Sequence, residues 1–263
     1  MYDDGKILSM GGSQDYTNSD AFSTTHIIEI DEPNQPASVR ETASMANRRA
    51  FANAVVLPDG QVLVTGGQTR AEVFTNNNAV LDSELWNPAT EQWSTVAAEQ
   101  KPRNYHSVAI LLPDGTVFSG GGGLCWDGGN CDPAADHPDG QIFSPPYLFK
   151  NGQPAERPVI EDMSFGSSND TSFTVSMEGS FVAILQDLPQ GEATFSLVRL
   201  GSATHSINTD QRRIALTPAS SSDGRYSFKL SGASGALSPG FWYFFALADG
   251  VPSVSRTIQV TLS

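Results

Sequence analysis

The chain has 263 residues, a hydrophobic content of 39% and a formal net charge of −14 at pH 7. An acidic surface repels phosphate backbones and anionic membranes, so the charge argues against nucleic acid or lipid as a partner and favours a neutral sugar or alcohol as substrate. No stretch approaches the roughly 18 apolar residues of a membrane-spanning helix.

The first half of the chain repeats one phrase three times. Short runs of Val, Ile, Thr and Phe alternate with Gly, Asp, Asn and Pro throughout, a composition that indicates an all-β protein. Within it the phrases DGKILSMGG (4–12), DGQVLVTGG (59–67) and DGTVFSGGG (114–122) recur at a constant step of 55 residues. Each phrase predicts a turn, an alternating strand and a glycine pair.

The sequence around the repeated phrase predicts the rest of a four-stranded unit. VVLPDG and ILLPDG precede the second and third copies and predict hairpins through Asp-Gly, while SELWNPATEQWS (83–94) predicts two strands around an Asn-Pro turn. Four short strands with a glycine pair about every 50 residues are typical of a kelch-type β-propeller blade. We therefore predict a partial propeller of about three blades over residues 1–152, which needs further blades to close.

The two cysteines, Cys125 and Cys131, lie in a Gly/Asp-rich loop after the third copy. A short local disulfide and a pair of free thiols both fit their spacing, and an oxidising extracellular setting would favour the disulfide. Asn169–Thr171 forms a glycosylation sequon, a triplet that also arises often by chance.

The repeat stops at the proline-rich stretch FSPPYLFKNGQPAERP (143–158). Six or so short strands follow, in TSFTVSM, SFVAILQDL, ATFSLVRLG, RYSFKLS, FWYFFALADG and TIQVTLS. Their number and spacing predict an immunoglobulin-like β-sandwich over residues 153–263.

Tyr105 and His106 stand side by side just before the third repeated strand. Neighbouring side chains of a regular strand point to opposite faces, so both can serve one site only if the backbone is irregular there. Two neutral imidazoles and a phenol oxygen would suit Cu(II), and the sequence offers four histidines, His26, His106, His137 and His205. The alternative for each histidine is a hydrogen-bonded core or surface residue. His137, in DHPDGQ, is interpreted as a loop histidine.

With the repeat, the Tyr-His pair and the appended sandwich together, the chain resembles the C-terminal half of the galactose oxidase-like copper radical oxidases. The stretches GKILSMGGSQDYTNSDA, RNYHSVAILLPDGTVFSGGGGLC, DGQIFSPPYLF, GSATHSINTDQRRIALT and GVPSVSRTIQV carry the resemblance. It implies a secreted, extracellular copper enzyme that oxidises primary alcohols, either sugars or simple alcohols, to aldehydes and reduces O2 to H2O2. It also implies that the sandwich is the family's early-set domain.

The resemblance implies roles for individual residues of the metal site. Tyr105 would be the axial copper ligand and the general base that takes the hydroxyl proton of the alcohol. His106 and His205 would be the two histidine ligands to copper. Cys125 and Cys131 fall where the family has a disulfide, although their spacing here is longer.

Further positions match the family's substrate mouth and its surroundings. Tyr16 and Phe74 match aromatic residues that line the mouth. At the position of Thr17 the galactose-specific enzyme carries a glutamine that bonds the sugar, so the resemblance does not extend to galactose specificity. Arg212 and Arg213, in DQRRIAL, are expected to anchor the loop of the second histidine through carboxylate or carbonyl contacts.

The family's redox cofactor is a tyrosine cross-linked through its ring to a cysteine sulfur, and this tyrosine is also a copper ligand and carries the radical. No residue of the sequence matches either member of this Cys-Tyr pair, so we expect the 263-residue chain to be catalytically incomplete alone. The alternative is a kelch/early-set protein that binds carbohydrate or a protein partner without redox chemistry. Tyr105, His106 and His205 favour the oxidase, and the missing pair favours the alternative.

Overall fold

The computed structural model describes residues 1–32, 34–125, 131–165, 173–186, 193–232 and 235–262, so the sequon at 169–171 lies outside the described residues. Over these ranges the chain forms strands and two short 3-10 helices, Pro133–Ala135 and Pro146–Leu148, and no α-helix. The prediction of an all-β fold is confirmed. No helix in this described part of the chain is long and apolar enough to cross a membrane.

Three antiparallel sheets follow one another in the N-terminal half of the chain. Its strands are β1 (Lys6–Met10), β2 (Ser19–Asp20), β3 (Thr25–Glu29), β4 (Ser38–Thr42), β5 (Asn53–Val56), β6 (Val62–Thr65), β7 (Arg70–Ala71), β8 (Ser83–Asn87), β9 (Gln92–Val96), β10 (Ser107–Leu111), β11 (Val117–Gly121), β12 (Gly140–Phe143), β13 (Phe149–Lys150) and β14 (Gln153–Pro154). The sheets have the strand orders β1-β3-β4, β5-β6-β8-β9 and β10-β11-β12. This succession is compatible with the predicted propeller blades.

The repeated Asp-Gly phrase forms the predicted hairpin in each complete copy. In the second sheet, Leu57 N donates to Gln61 O at 2.9 Å and closes the turn between β5 and β6. In the third, Leu112 N donates to Thr116 O at 2.8 Å and closes the turn between β10 and β11. Because equivalent positions close the same turn in both copies, the 55-residue repeat of the sequence corresponds to a repeated hairpin in the structure.

The C-terminal half is the predicted sandwich. Its strands are β15 (Val159–Phe165), β16 (Thr174–Ser176), β17 (Ser180–Gln186), β18 (Ala193–Arg199), β19 (Ala203–Thr204), β20 (Ile207–Asn208), β21 (Arg213–Leu216), β22 (Ser220–Ser222), β23 (Arg225–Lys229), β24 (Gly240–Ala248), β25 (Val251–Pro252) and β26 (Arg256–Thr261). The sheets β15-β17-β23-β22 and β16-β26-β24-β18-β21 enclose an aromatic core that includes Phe181, Phe195, Phe228 and Phe244. The domain boundary at 152/153 stays a prediction.

The sandwich is attached to the Asp-Gly turns of the second and third sheets. The Pro58 carbonyl accepts hydrogen bonds from Ser196 Oγ and Arg213 Nε, both at 2.8 Å. The Pro113 carbonyl, one repeat later, accepts from Ser255 N at 2.8 Å. These contacts hold the sandwich beside the ends of β5 and β10, where its short hairpin β19–β20 contacts both strands.

Candidate metal centre

Tyr105 and His106 lie in a turn immediately before β10, and this turn has the irregular backbone that the sequence required. His106 has a φ of 69°, in the left-handed region. Gly123 fixes the turn from both sides, because its N–H donates to Tyr105 O at 2.9 Å and its carbonyl accepts from His106 Nδ1 at 2.8 Å. The two rings stack with centroids 4.0 Å apart, so neighbours in sequence face one site.

His205 stands at the tip of the hairpin β19–β20. The two loop residues, His205 and Ser206, have φ values of 50° and 64°. A two-residue loop with both residues in the left-handed region is the type I′ hairpin turn, which Asn-Gly usually occupies. Thr204 Oγ1 lies 2.8 Å from His205 Nδ1 and orients the imidazole.

The two imidazoles meet at their Nε2 atoms, which lie 3.0 Å apart. The Gly123 carbonyl can only accept, so Nδ1 of His106 carries the hydrogen and the neutral ring presents its Nε2 lone pair toward His205. Adjacent ligands of a metal with metal–nitrogen bonds of about 2.0–2.1 Å lie roughly 2.9 Å apart, so the pair fits one cation. In the described part of the chain no group of three or more His, Cys, Asp or Glu side chains that could hold a metal ion is found. The Tyr105 ring lies against both imidazoles, with centroids 4.0 Å from His106 and 5.6 Å from His205.

Tyr105 is surrounded by further aromatic rings, one of which, Phe74, also contacts the His106 ring at 5.5 Å. The Tyr105 ring makes edge contacts with Tyr16, Phe51 and Phe74 at centroid distances of 5.6, 5.3 and 5.1 Å. Burial, followed by a hydrogen bond to Tyr105, raises the pKa of Tyr16 to about 12. Tyr16 therefore keeps its hydroxyl proton at physiological pH.

Phe51 belongs to this cluster although the sequence reasoning missed it. It lies 55 residues before His106, contacts Tyr16 at 5.5 Å and has a φ of 59°. Equivalent positions of two successive repeats thus carry a residue with a left-handed backbone conformation whose ring faces the site. The repeat period contained this signal and could have identified Phe51.

The structure places the other predicted site residues around this centre. Thr17 follows Tyr16 on an exposed loop. Arg213 donates to the Pro58 carbonyl, whereas Arg212 Nε donates to Asp210 O, 3.3 Å away in its own loop. Arg213 thus contacts the Asp-Gly turn of the second sheet and Arg212 contacts its own loop, and the role of both as anchors of the His205 loop stays a prediction.

A cavity of about 560 Å³ opens beside the imidazole pair. His106, His205, Leu124 and His137 are among its lining residues. His137 lies in a loop as predicted, and its Nε2 is 2.9 Å from Asn76 Oδ1. Burial, and secondarily the Arg103 guanidinium, lowers the pKa of His137, so the ring faces this cavity in its neutral form near pH 7.

Cys125 and Cys131 form a disulfide, with Cα atoms 6.1 Å apart, so this prediction is confirmed. They are the two cysteines of the sequence, and the disulfide uses both thiols. The sequence therefore offers no free thiol for a cross-link to a tyrosine.

The sequence and the structure both match copper and aldehyde oxidases. The sequence model described as glyoxal oxidase N-terminus matches residues 4–124, and the one described as galactose oxidase-like early set domain matches residues 157–260. Galactose oxidase of Gibberella zeae is 42% identical over 266 residues, which cover 99% of this chain and 37% of that protein. An aldehyde oxidase of Vitis pseudoreticulata is 30% identical, over 86% of this chain and 44% of its own length.

Among solved structures, a fungal alcohol oxidase of the AA5 family, determined in complex with copper, superposes with a TM-score of 0.89 and 39% sequence identity. The match covers 100% of this chain and 53% of that protein. The chain therefore spans from about one third to about one half of the length of these relatives.

Proposed function

Since the chain belongs to the galactose oxidase-like copper radical oxidase family, we propose that it forms the C-terminal part of an enzyme that oxidises primary alcohols to aldehydes. The observation that carries this proposal is the 3.0 Å approach of two imidazole nitrogens from different halves of the chain, beside a stacked tyrosine. The alcohol loses two electrons and two protons, and O2 takes them up as H2O2.

Three side chains of this chain would hold the copper ion. His106 and His205 would bind through Nε2, and Tyr105 would supply the oxygen donor. Copper, when bound, would supply a Lewis acid for the alcohol oxygen and an acceptor for one electron. The fit rests on the donor chemistry, since an N,N,O set with an open position suits Cu(II).

Tyr105 is also the group best placed to move a proton. Its phenol oxygen would take the hydroxyl proton of the alcohol as general base. Tyr16, whose pKa is raised to about 12, can donate a hydrogen bond to that oxygen and stabilise the Tyr105 phenolate before it takes the proton. The stack with His106 and the Gly123 contacts hold the phenol ring in place during the transfer.

The substrate wall of this site is aromatic. Tyr16, Phe51 and Phe74 pack around Tyr105, and such rings bind the apolar face of a sugar or the hydrocarbon part of a simple alcohol. Thr17 would occupy the mouth beside Tyr16 and offers one hydroxyl, so we propose a primary alcohol substrate without assigning galactose.

The radical step needs an oxidising group that this sequence does not supply, because its two cysteines are bonded to each other. We propose that the cross-linked tyrosine and the further blades come from another part of the full-length protein, which is secreted. The lack of residues that match the Cys-Tyr pair is the observation that favours the alternative function, a kelch/early-set protein that binds carbohydrate or a partner without redox chemistry.

Copper titration of the 263-residue chain tests the proposal. We expect one Cu(II) per chain and an electron paramagnetic resonance spectrum with nitrogen ligands. His205→Ala should weaken binding by at least about 10-fold. His26→Ala, whose histidine lies in β3 away from the site, is the matched control. Equal copper binding by His205→Ala and the unmodified chain would refute the metal centre.

An activity assay on the same chain separates the two functions. We expect no appreciable H2O2 release from the copper-loaded chain with a panel of primary alcohols. Robust turnover would show that the chain is catalytically complete after all. Carbohydrate binding that does not depend on copper, together with the absence of a copper site, would establish the alternative.

A further inference from the structure

We propose that Gln211 is the positioning residue that holds His205 opposite His106, because its side-chain amide takes the place of a neighbouring strand along β5. Gln211 Oε1 accepts from Val56 N at 2.7 Å, and Gln211 Nε2 donates to Ala54 O at 3.1 Å. Both backbone groups lie on the edge of β5 that does not pair with β6. One side chain from the sandwich thus makes the two hydrogen bonds that a strand partner would make.

The hairpin that carries His205 depends on such an external contact. Its strands β19 and β20 contain two residues each, and an isolated hairpin of this size is not stable in water. Burial does not hold it either, since His205 and Thr204 are exposed and Ile207 is 58% exposed. Besides the ring contacts of His205 with Tyr105 and His106, hydrogen bonds to the neighbouring sheet are therefore needed to set the position of the imidazole.

A short chain of hydrogen bonds connects Gln211 with the hairpin. The Asn208 side chain closes the base of the hairpin, because its Oδ1 accepts from Ser202 N at 3.0 Å and from Gln211 N at 3.1 Å. The residue that binds β5 through its side chain thus binds the hairpin through its backbone. Arg213, by contrast, holds the Pro58 turn and not the strand edge next to the hairpin.

Hydrogen exchange of single backbone amides tests this contact in the metal-free chain. In Gln211→Met, which keeps the side-chain length but removes both hydrogen bonds, we expect the Val56 amide to exchange at least about 10-fold faster. The Leu57 amide, bonded to Gln61 O within the β5–β6 turn, is the internal control and should be unchanged. Gln259→Met, at an exposed glutamine of β26, is the matched control variant.

Two further measurements follow the imidazole itself. The nuclear Overhauser contact between the His106 and His205 rings should weaken or disappear in Gln211→Met and persist in Gln259→Met. Copper affinity, which rests on the proposed function, should fall about 10-fold with a changed electron paramagnetic resonance spectrum. Gln211→Glu, which can accept from Val56 N but cannot donate to Ala54 O, should give an intermediate result and serves if Gln211→Met does not fold.

The outcomes separate this inference from the proposed function. Unchanged Val56 exchange and an unchanged ring contact in Gln211→Met would overturn the positioning role, whatever the copper result. Faster Val56 exchange and a lost ring contact, in a chain that never binds copper, would support the positioning role and refute the metal centre. If the unmodified chain binds copper, equal copper affinities and spectra of Gln211→Met and the unmodified chain would also overturn it.

Discussion

Replacing Glu84 by glutamine should destabilise the chain by about 3 kcal/mol, at the lower end of the range for breaking a buried ion pair. Arg49 Nη2 and Glu84 Oε1 are 2.7 Å apart, with their side chains 0% and 1% exposed. The substitution keeps the volume and creates no cavity, so the cost comes from the Arg49 charge that loses its partner. Glu84 Oε2 also accepts from Ala46 N at 2.6 Å, and an amide that presents NH2 there would lose this bond as well.

Urea denaturation followed by tryptophan fluorescence measures this cost, because Trp86 lies two residues from Glu84 on β8 and pairs with Trp93. The midpoint should fall while the slope stays constant, as expected when stability changes and the exposed surface does not.

The matched control is Glu91→Gln, which breaks an exposed pair of the same residue types. Arg40 Nη2 and Glu91 Oε1 are 2.5 Å apart, but their side chains are 45% and 35% exposed. Such pairs contribute about 0–1 kcal/mol because water already solvates both charges. Equal losses in Glu84→Gln and Glu91→Gln would refute the reasoning, since burial is the property that distinguishes the two pairs.

Two further substitutions test the backbone around the site. Gly66→Ala should lower the free energy of unfolding by about 2–5 kcal/mol, because φ is 67° and a Cβ would overlap the Arg103 carbonyl. Gly250→Ala, at a φ of 76° with open space around the Cβ, should lower it by only about 1–2 kcal/mol, and equal losses of the two variants in urea denaturation would contradict this. Ser206→Gly should stabilise the chain by about 1–2 kcal/mol, because glycine adopts the left-handed φ of 64° without strain and the substitution removes a buried hydroxyl that has no hydrogen-bond partner. An unchanged urea midpoint would contradict this prediction.

The strands were predictable because their signals are local. An Asp-Gly turn between alternating apolar residues determines a hairpin within about ten residues, and the two complete copies form the same turn at Leu57 and at Leu112. The adjacency of Tyr105 and His106 was also informative, since two neighbours can share a site only across a break in the strand. That break was found, with φ of 69° at His106.

The rest of the candidate site depends on contacts between distant parts of the chain. Phe51 carried a periodic signal through its 55-residue separation from His106, but its ring contacts exist only because the sheets pack side by side. Gln211 carried no signal in the sequence, because an amide that replaces a strand partner has no motif. His137, which lies shortly before β12, likewise lines the cavity beside the imidazole pair.

The site is built where the backbone leaves its regular conformation. Phe51, Phe74, His106 and His205 have φ values of 59°, 58°, 69° and 50°, each in a region that costs a non-glycine residue about 1–2 kcal/mol. A non-glycine residue keeps such a conformation only when several contacts of the surrounding structure enforce it. The sheets supply stability, and single contacts, such as the hydrogen bond from His106 Nδ1 to the Gly123 carbonyl, orient the rings. Substitutions inside the sheets should therefore lower stability and leave the ring positions unchanged. Substitutions of residues whose single contacts orient the rings should instead move the rings with little loss of stability.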